Sequence, residues 1–495
     1  MRALSLEVKG TKTILPDAEG VFDAIARIGY EFEHAVADLV DNSIDAGAAN
    51  VLVRFLYDRD AVYSVAVIDD GQGMDSARMD DAMAFGGRTG RSNADLGKYG
   101  MGLKAASFSQ CDVLTVVSRQ RGRTAGRRWT AENVRKGWVC ESIAAGGAER
   151  YLAANADRVK TSEHGTLVQW DCLHAMGNLI KPSVLIEARF RELSGHLGLV
   201  FHRFLESVGL RIGLDAVNPD DRTRGFPQNI KPLNPFPRQE AVSGYPKTYR
   251  LQASGAVELE FDTHIWRRNA TEAGFRLGGG RLAKRQGFYI YRNQRLIQPG
   301  GWNGLRSDTE VHTSLARVGV DLPPALDSIF KPTVQKSSVT MPLNFLKSLR
   351  AARSGESTFN DYLLDAERVY RAADARRTSH GLVPTEGITK ELTARFRRIL
   401  GNTGEEAEIC FEWTKLADDE FFRVDPDNKT LELNATYRRA VLFGSKGSSG
   451  DAPLVKTLLM LLCKDDMSRV NRVEKYEKRL RVYNRLLVEA VKSQL

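Results

Sequence analysis

Asp38-Leu39-Val40-Asp41-Asn42-Ser43-Ile44-Asp45-Ala46-Gly47 is the stretch on which the fold turns. At 3.6 residues per turn, Phe32, Ala35, Val36, Leu39, Val40 and Ser43 fall on one side of a helix. Asp38, Asp41, Asn42 and Asp45 fall on the other. An ordinary surface helix would mix Lys and Arg into that face. A cluster of oxygen donors without basic neighbours suits a hard cation such as Mg²⁺, although for this helix alone a solvated acidic face is the simpler account.

Working outward, residues 18–47 read as two helical segments. The runs VLVRFLY (51–57) and VYSVAVID (62–69) follow at hairpin spacing and read as strands. Further strands are expected at 112–118, 127–131, 137–143 and 166–171. Helices followed by a mainly antiparallel strand set predict a two-layer α/β sandwich rather than alternating βαβ units. Residues 185–345 read as a second α/β unit. Within them, 216–246 carry Pro219, Pro227, Pro232, Pro235, Pro237 and Pro246 and read as an extended loop or insertion. Residues 346–495 read as mostly helical and end in an amphipathic helix with Val470, Val473, Tyr476, Leu480, Tyr483 and Leu487 at steps of three or four.

Composition bounds the class. The chain has 495 residues, 42% hydrophobic and 27% charged, enough for about three ordinary domains. It contains no apolar run of the ~18 residues a membrane span requires, and its start lacks a signal-peptide core. These features point to a cytoplasmic protein with no membrane association. The five cysteines (Cys111, Cys140, Cys172, Cys410, Cys463) form no CxxC pair and suit neither a disulfide framework nor a zinc site. His34 and His164 lack metal-ligand spacing. The net charge of +9 permits a nucleic-acid partner.

Asp69-Asp70-Gly71-Gln72-Gly73-Met74 closes a strand. An Asp there can accept a hydrogen bond from an exocyclic amine, and the glycines let backbone approach a planar ring; alone, DxGxG is a common turn. Gly97-Lys98-Tyr99-Gly100-Met101-Gly102-Leu103-Lys104 then runs into a helix start, whose N–H groups can form an anion site. No strand immediately precedes Gly97, which excludes the dinucleotide fingerprint. A last strand begins His164-Gly165-Thr166.

This order of motifs resembles the GHKL ATPase superfamily, the Bergerat-fold group of DNA gyrase, the heat-shock chaperone, histidine kinases and MutL. Within it the chain looks most like the Microrchidia (MORC) branch. His196-Leu197-Gly198-Leu199-Val200-Phe201-His202-Arg203 and Gly287-Phe288-Tyr289-Ile290-Tyr291-Arg292-Asn293-Gln294-Arg295-Leu296-Ile297 support that likeness. It covers about residues 20–345. The resemblance implies a Bergerat two-layer α/β sandwich with a mixed, mainly antiparallel sheet over 1–184. An α/β transducer domain (ribosomal S5-like) would span 185–345, ahead of the mostly helical C-terminal region, 346–495.

It also implies ATP and Mg²⁺ as cofactors, and a site. Asn42 would hold the metal, with Asp45 nearby. Asp69 would accept from the adenine amine, with Gly71, Gly73 and Met74 beside the ring and Thr166 in support. Gly97, Lys98, Tyr99, Gly100, Met101, Gly102, Leu103 and Lys104 would form a lid over the phosphates, and Lys336 would reach the terminal phosphate from the second domain. Relatives carry Glu four residues before the metal-binding Asn, as the base that activates water. Here that residue is Asp38, shorter by roughly 1.5 Å. Slow turnover, a backbone shifted to compensate or an interposed water would each accommodate it, and the expectation is that Asp38 is the base and hydrolysis is slow.

As partners, the resemblance implies an ATP-dependent homodimer that clamps DNA without sequence specificity. Residues 119–136, with Arg119, Arg121, Arg123, Arg127 and Arg128, offer a phosphate-tracking hairpin. The compact form resembles prokaryotic MORC-like ATPases, some associated with proteins of DNA modification or defence systems. The alternatives are a chaperone-like clamp on protein clients and a nucleotide-sensing scaffold with little turnover. A histidine kinase is disfavoured, since no phosphoacceptor His stands on a helical hairpin before the ATP domain.

Overall fold

Strand β1 (Asn50–Tyr57) carries Val51, Val53 and Phe55 on one face and Leu52, Arg54 and Leu56 on the other, and both faces are buried. A strand covered on both sides belongs in the middle of a layered sheet. In the computed structural model β1 lies between β2 (Val62–Asp69), antiparallel to it, and β7 (Arg211–Asn218), parallel to it. The structure describes the chain apart from residues 1–11, 14–16, 28, 85–95, 97–101, 175–180, 221–222, 253–257, 269, 278–281, 308–309, 327–329, 331–338, 340, 342, 351, 379–381, 401–406, 426–427, 443–446, 449, 468–473 and 494–495.

The first sheet has eight strands in the order β5-β4-β3-β6-β2-β1-β7-β8. The others are β3 (Cys111–Gln120), β4 (Arg123–Thr130), β5 (Glu141–Ile143), β6 (Gly165–Leu173) and β8 (Thr223–Asn229). Only the β1–β7 pairing is parallel. On one face lie helices α1 (Ala18–Ala26) and α2 (Phe32–Asp45), α4 (Gly102–Phe108) and α7 (Pro182–Val200), with α3 (Ser76–Met83) and α5 (Ala131–Arg135) near the β4 side. Ala35, Val36, Leu39 and Val40 of α2 share a core with Val51, Val53, Phe55, Val65 and Val67. Burying each such Val or Leu side chain contributes about 1.5–3 kcal/mol.

The other face is covered by α6 (Ala145–Asn155), whose Ala148 and Leu152 pack on Leu52, Ala66, Ile68, Val117 and Leu167. Arg54 also points there. Its guanidinium is held by Asp215 at 2.7 and 2.8 Å and by Asp157 at 2.7 Å, so a buried charge is matched by acids. The sheet therefore draws strands from 211–229, beyond the expected boundary at 184. Residues 223–229 are a strand rather than loop, despite Pro227. β8 is an edge strand, where a missing N–H costs no ladder bond.

A second sheet has seven strands in the order β12-β11-β13-β10-β9-β14-β15. They are β9 (Lys247–Gln252), β10 (Glu258–Ile265), β11 (Gly287–Arg292), β12 (Arg295–Pro299), β13 (Ala316–Asp321), β14 (Arg353–Ser354) and β15 (Ser357–Thr358). Fully buried Arg317 donates to the carbonyls of Pro235, Gly274 and Phe275, its guanidinium lying against the rings of Trp266 and Tyr289.

Contacts divide the chain into two compact units, 1–367 and 368–495. The second is rich in helix, as expected: Lys390–Leu400, Pro453–Met467 and Glu474–Lys492. Leu480, Tyr483 and Leu487 of the last helix face its core. That core is also built on a four-stranded sheet that the hydrophobic pattern does not reveal, β16 (Leu382–Glu386), β17 (Ala407–Thr414), β18 (Phe422–Asp425) and β19 (Thr430–Asn434), in the order β16-β17-β19-β18. Among the described residues no helix is long and apolar enough to cross a membrane.

Candidate active site

The pairing register brings the ends of β2, β6 and β3 side by side, with Asp69 opposite Thr166 and Thr166 opposite Ser118. Asp69 is 5% exposed. Its carboxylate accepts from the Ser43 hydroxyl of α2 at 2.9 Å and from the Gly71 N–H at 2.9 Å. Ser118 Oγ lies 2.8 Å from Thr166 Oγ1 and accepts from the Met74 N–H at 2.8 Å. Two glycines shape the approach. Gly73 has φ +66°, and a Cβ there would come within 1.8 Å of the Arg119 carbonyl oxygen; at Gly71 it would come within 2.8 Å of Ala46 Cβ. The corner is thus a cradle with a buried acceptor and almost no side-chain bulk.

Burial pushes the Asp69 carboxyl up to about 6, against the Gly71 N–H and the Ser43 hydroxyl, which favour the ionised form. The folded chain therefore holds a proton on Asp69 between about pH 4 and 6 that the unfolded chain has released. Stability from this group grows as pH falls through that window and is lost as pH rises through 6. Urea melts of wild type and Asp69→Asn should diverge accordingly. Their stability difference is expected to move in favour of wild type by about 2 kcal/mol from pH 7 to pH 4. A pH-independent difference would contradict the assignment.

Helix α2 is more finely divided than its sequence face suggests. Asn42 and Asp45 are exposed, whereas Asp38 is 2% and Asp41 0% exposed. The face is not without basic partners: Arg295, 254 residues after Asp41 and itself 2% exposed, reaches it from β12. Arg295 Nε donates to Asp41 Oδ1 at 2.8 Å, and its Nη2 lies 3.7 Å from Asp38 Oδ1. The Tyr30 hydroxyl donates to Asp38 Oδ2 at 3.0 Å. That oxygen also lies 3.8 Å from where a Cβ on Gly102 would stand, so Asp38 faces the first residue of α4. Asp45 Oδ1 accepts from the Leu96 N–H at 2.8 Å, one residue before the glycine-rich segment.

Gly97, Lys98, Tyr99, Gly100, Met101 and Lys336 lie outside the described residues. Of the remaining lid residues, Leu103 packs against the core, and Lys104 is buried with its ammonium donating to the Ala82 carbonyl at 2.6 Å. In the basic hairpin, Arg127 is held by Asp80 and Ser76 and Arg119 by Glu149 and Thr124, while Arg128 donates to Thr115. Arg121 and Arg123 are exposed at its turn. His164 Nδ1 sits 3.0 Å from the Gln72 carbonyl, a strand-end role.

Four residues of the site are not evident from the motifs: Tyr30, Ser43, Ser118 and Arg295. Ser43 carries a signal, a hydroxyl within an otherwise apolar helix stripe. Arg295 carries another, a charge heading the strand Arg295–Pro299, of which only Pro299 is exposed.

The family model for the Histidine kinase-, DNA gyrase B-, and HSP90-like ATPase matches residues 30–166. These residues hold α2, the Asp69 turn, α4 and Thr166. Protein MICRORCHIDIA 6 of Arabidopsis thaliana is 36% identical over 89 residues, which cover 17% of this chain and only 13% of that relative. Residues 30–166 are therefore similar to the histidine kinase-, DNA gyrase B- and HSP90-like ATPases, and 89 residues of the chain are similar to a Microrchidia protein.

Proposed function

We propose that the corner formed by α2, β2, β3 and β6 binds Mg·ATP and hydrolyses it slowly, and that ATP gates a dimeric clamp acting on DNA. The carrying observation is the buried acceptor Asp69 in a glycine-lined cradle, on the helix corner that also bears Asn42 and Asp38. Asp69 takes the adenine amine, with Thr166 and Ser118 beside it. Exposed Asn42, with Asp45 a turn away, fits a Mg²⁺ that would neutralise charge on the phosphates. The family's lid role is carried over to Gly97, Lys98, Tyr99, Gly100, Met101, Gly102, Leu103 and Lys104, and its second-domain cation role to Lys336. Asp38 is the base that takes the proton of the attacking water.

Phosphate release should be measured with and without Mg²⁺ and duplex DNA. Wild type is expected to turn over only with Mg²⁺. Asn42→Ala should fall by about a hundredfold or more, as expected when a phosphate-positioning group is lost. Turnover by Asn42→Ala equal to wild type would remove the proposed site. Light scattering tests the clamp: a non-hydrolysable ATP analogue should double the mass, and an unchanged mass would reject it. DNA contact is proposed for the hairpin turn, through Arg121 and Arg123, with association weakening steeply as salt rises.

A further inference from the structure

Asp38 and Asp41 stand three apart on α2, so their side chains share one side of the helix. Both are buried, and two buried carboxylates so placed repel unless a cation lies against them. Arg295 supplies it from the second sheet, of which β12 is an edge strand. Its fork engages Asp41 directly at 2.8 Å and Asp38 at 3.7 Å. The guanidinium is fixed in turn: its Nη1 donates to the Leu296 carbonyl at 3.3 Å, and the Phe201 ring lies 5.7 Å beneath it. Tyr30 holds the other oxygen of Asp38. A short acid in the place of a longer base depends on where its carboxylate is held.

We propose that Arg295 is a positioning residue: anchored on Asp41, it fixes the carboxylate of Asp38 for water activation and makes turnover at α2 depend on strand β12 of the second sheet. This deepens the ATPase reading and rests on it. A lysine has one ammonium point and no planar fork, so it cannot engage both acids as Arg does.

The test combines phosphate release, affinity for a non-hydrolysable ATP analogue, and thermal melts without nucleotide. Arg295→Gln is expected to lower kcat by about 10- to 100-fold, the scale of a misplaced catalytic group, with analogue affinity within about threefold, since Arg295 acts on the base and not on ligand binding. Arg295→Lys should recover part of kcat. Should Arg295→Gln fail to fold because Asp41 is left uncompensated, the pair Asp41→Asn/Arg295→Gln removes both charges together and should show the same loss of kcat. In the melts, Arg295→Gln and Asp41→Asn should be strongly non-additive, as for residues in direct contact.

Variants with wild-type kcat, or with kcat and analogue affinity lost in parallel, would overturn the role of Arg295. Absence of phosphate release from wild type would instead overturn the ATPase reading itself.

Discussion

Asp38→Asn is expected to lower ATP turnover by about a hundredfold or more, the usual contribution of a general base, while analogue affinity stays nearly unchanged. The substitution keeps volume and leaves an oxygen to accept from Tyr30, so the pocket around this 2% exposed residue need not rearrange. Asp41 remains to compensate Arg295, at 2.8 Å. What is lost is the negative charge, and with it the basicity, of the group facing the start of α4. A kcat loss without a binding loss identifies an interaction made in the transition state. Single-turnover phosphate release and analogue titration check this, and unchanged turnover would remove Asp38 as the base.

Gly73→Ala is expected to destabilise the nucleotide-binding region by about 3 kcal/mol, combining a left-handed backbone penalty with overpacking, and to abolish nucleotide binding. At φ +66° its Cβ would lie 1.8 Å from the Arg119 carbonyl oxygen. That oxygen belongs to β3, paired on both sides with β4 and β6, and can move only with the sheet. Gly47 is the matching control. It has φ +73° but nothing within 4 Å of an added Cβ, so Gly47→Ala should cost only about 1 kcal/mol, the backbone share alone. Melts and analogue binding on the two variants separate close approach from backbone conformation. Equal losses would show that the Arg119 contact is unimportant.

Those parts of the molecule that depend on local pattern are legible in the amino-acid sequence. Residues 51–57 and 62–69 alternate or run apolar, and they lie in the strands β1 and β2. The period of α2 correctly separates Leu39 and Val40 from Asn42 and Asp45. It fails at Asp38 and Asp41 because their burial depends on Arg295, which helical periodicity cannot see. Ser118 is similar: it sits in a strand that reads simply as apolar, and only the β3–β6 register brings it to Thr166. The sheet of the C-terminal unit is hidden for another reason. Its strands Phe422–Asp425 and Thr430–Asn434 are short, and the strong amphipathic helix at Glu474–Lys492 dominates the pattern. Pro227 misleads in the opposite direction, since proline excludes central strands but not edges.

The central claim is that Asp69 and its glycine cradle recognise an adenine nucleotide. Calorimetric titration of a Mg²⁺-loaded, non-hydrolysable ATP analogue into wild type and Asp69→Asn tests it most directly. Saturable one-site binding to wild type is expected. The variant should lose about tenfold or more in affinity, the scale of a hydrogen bond to a charged group. No saturable binding to wild type, or equal affinity for the two proteins, would contradict the claim.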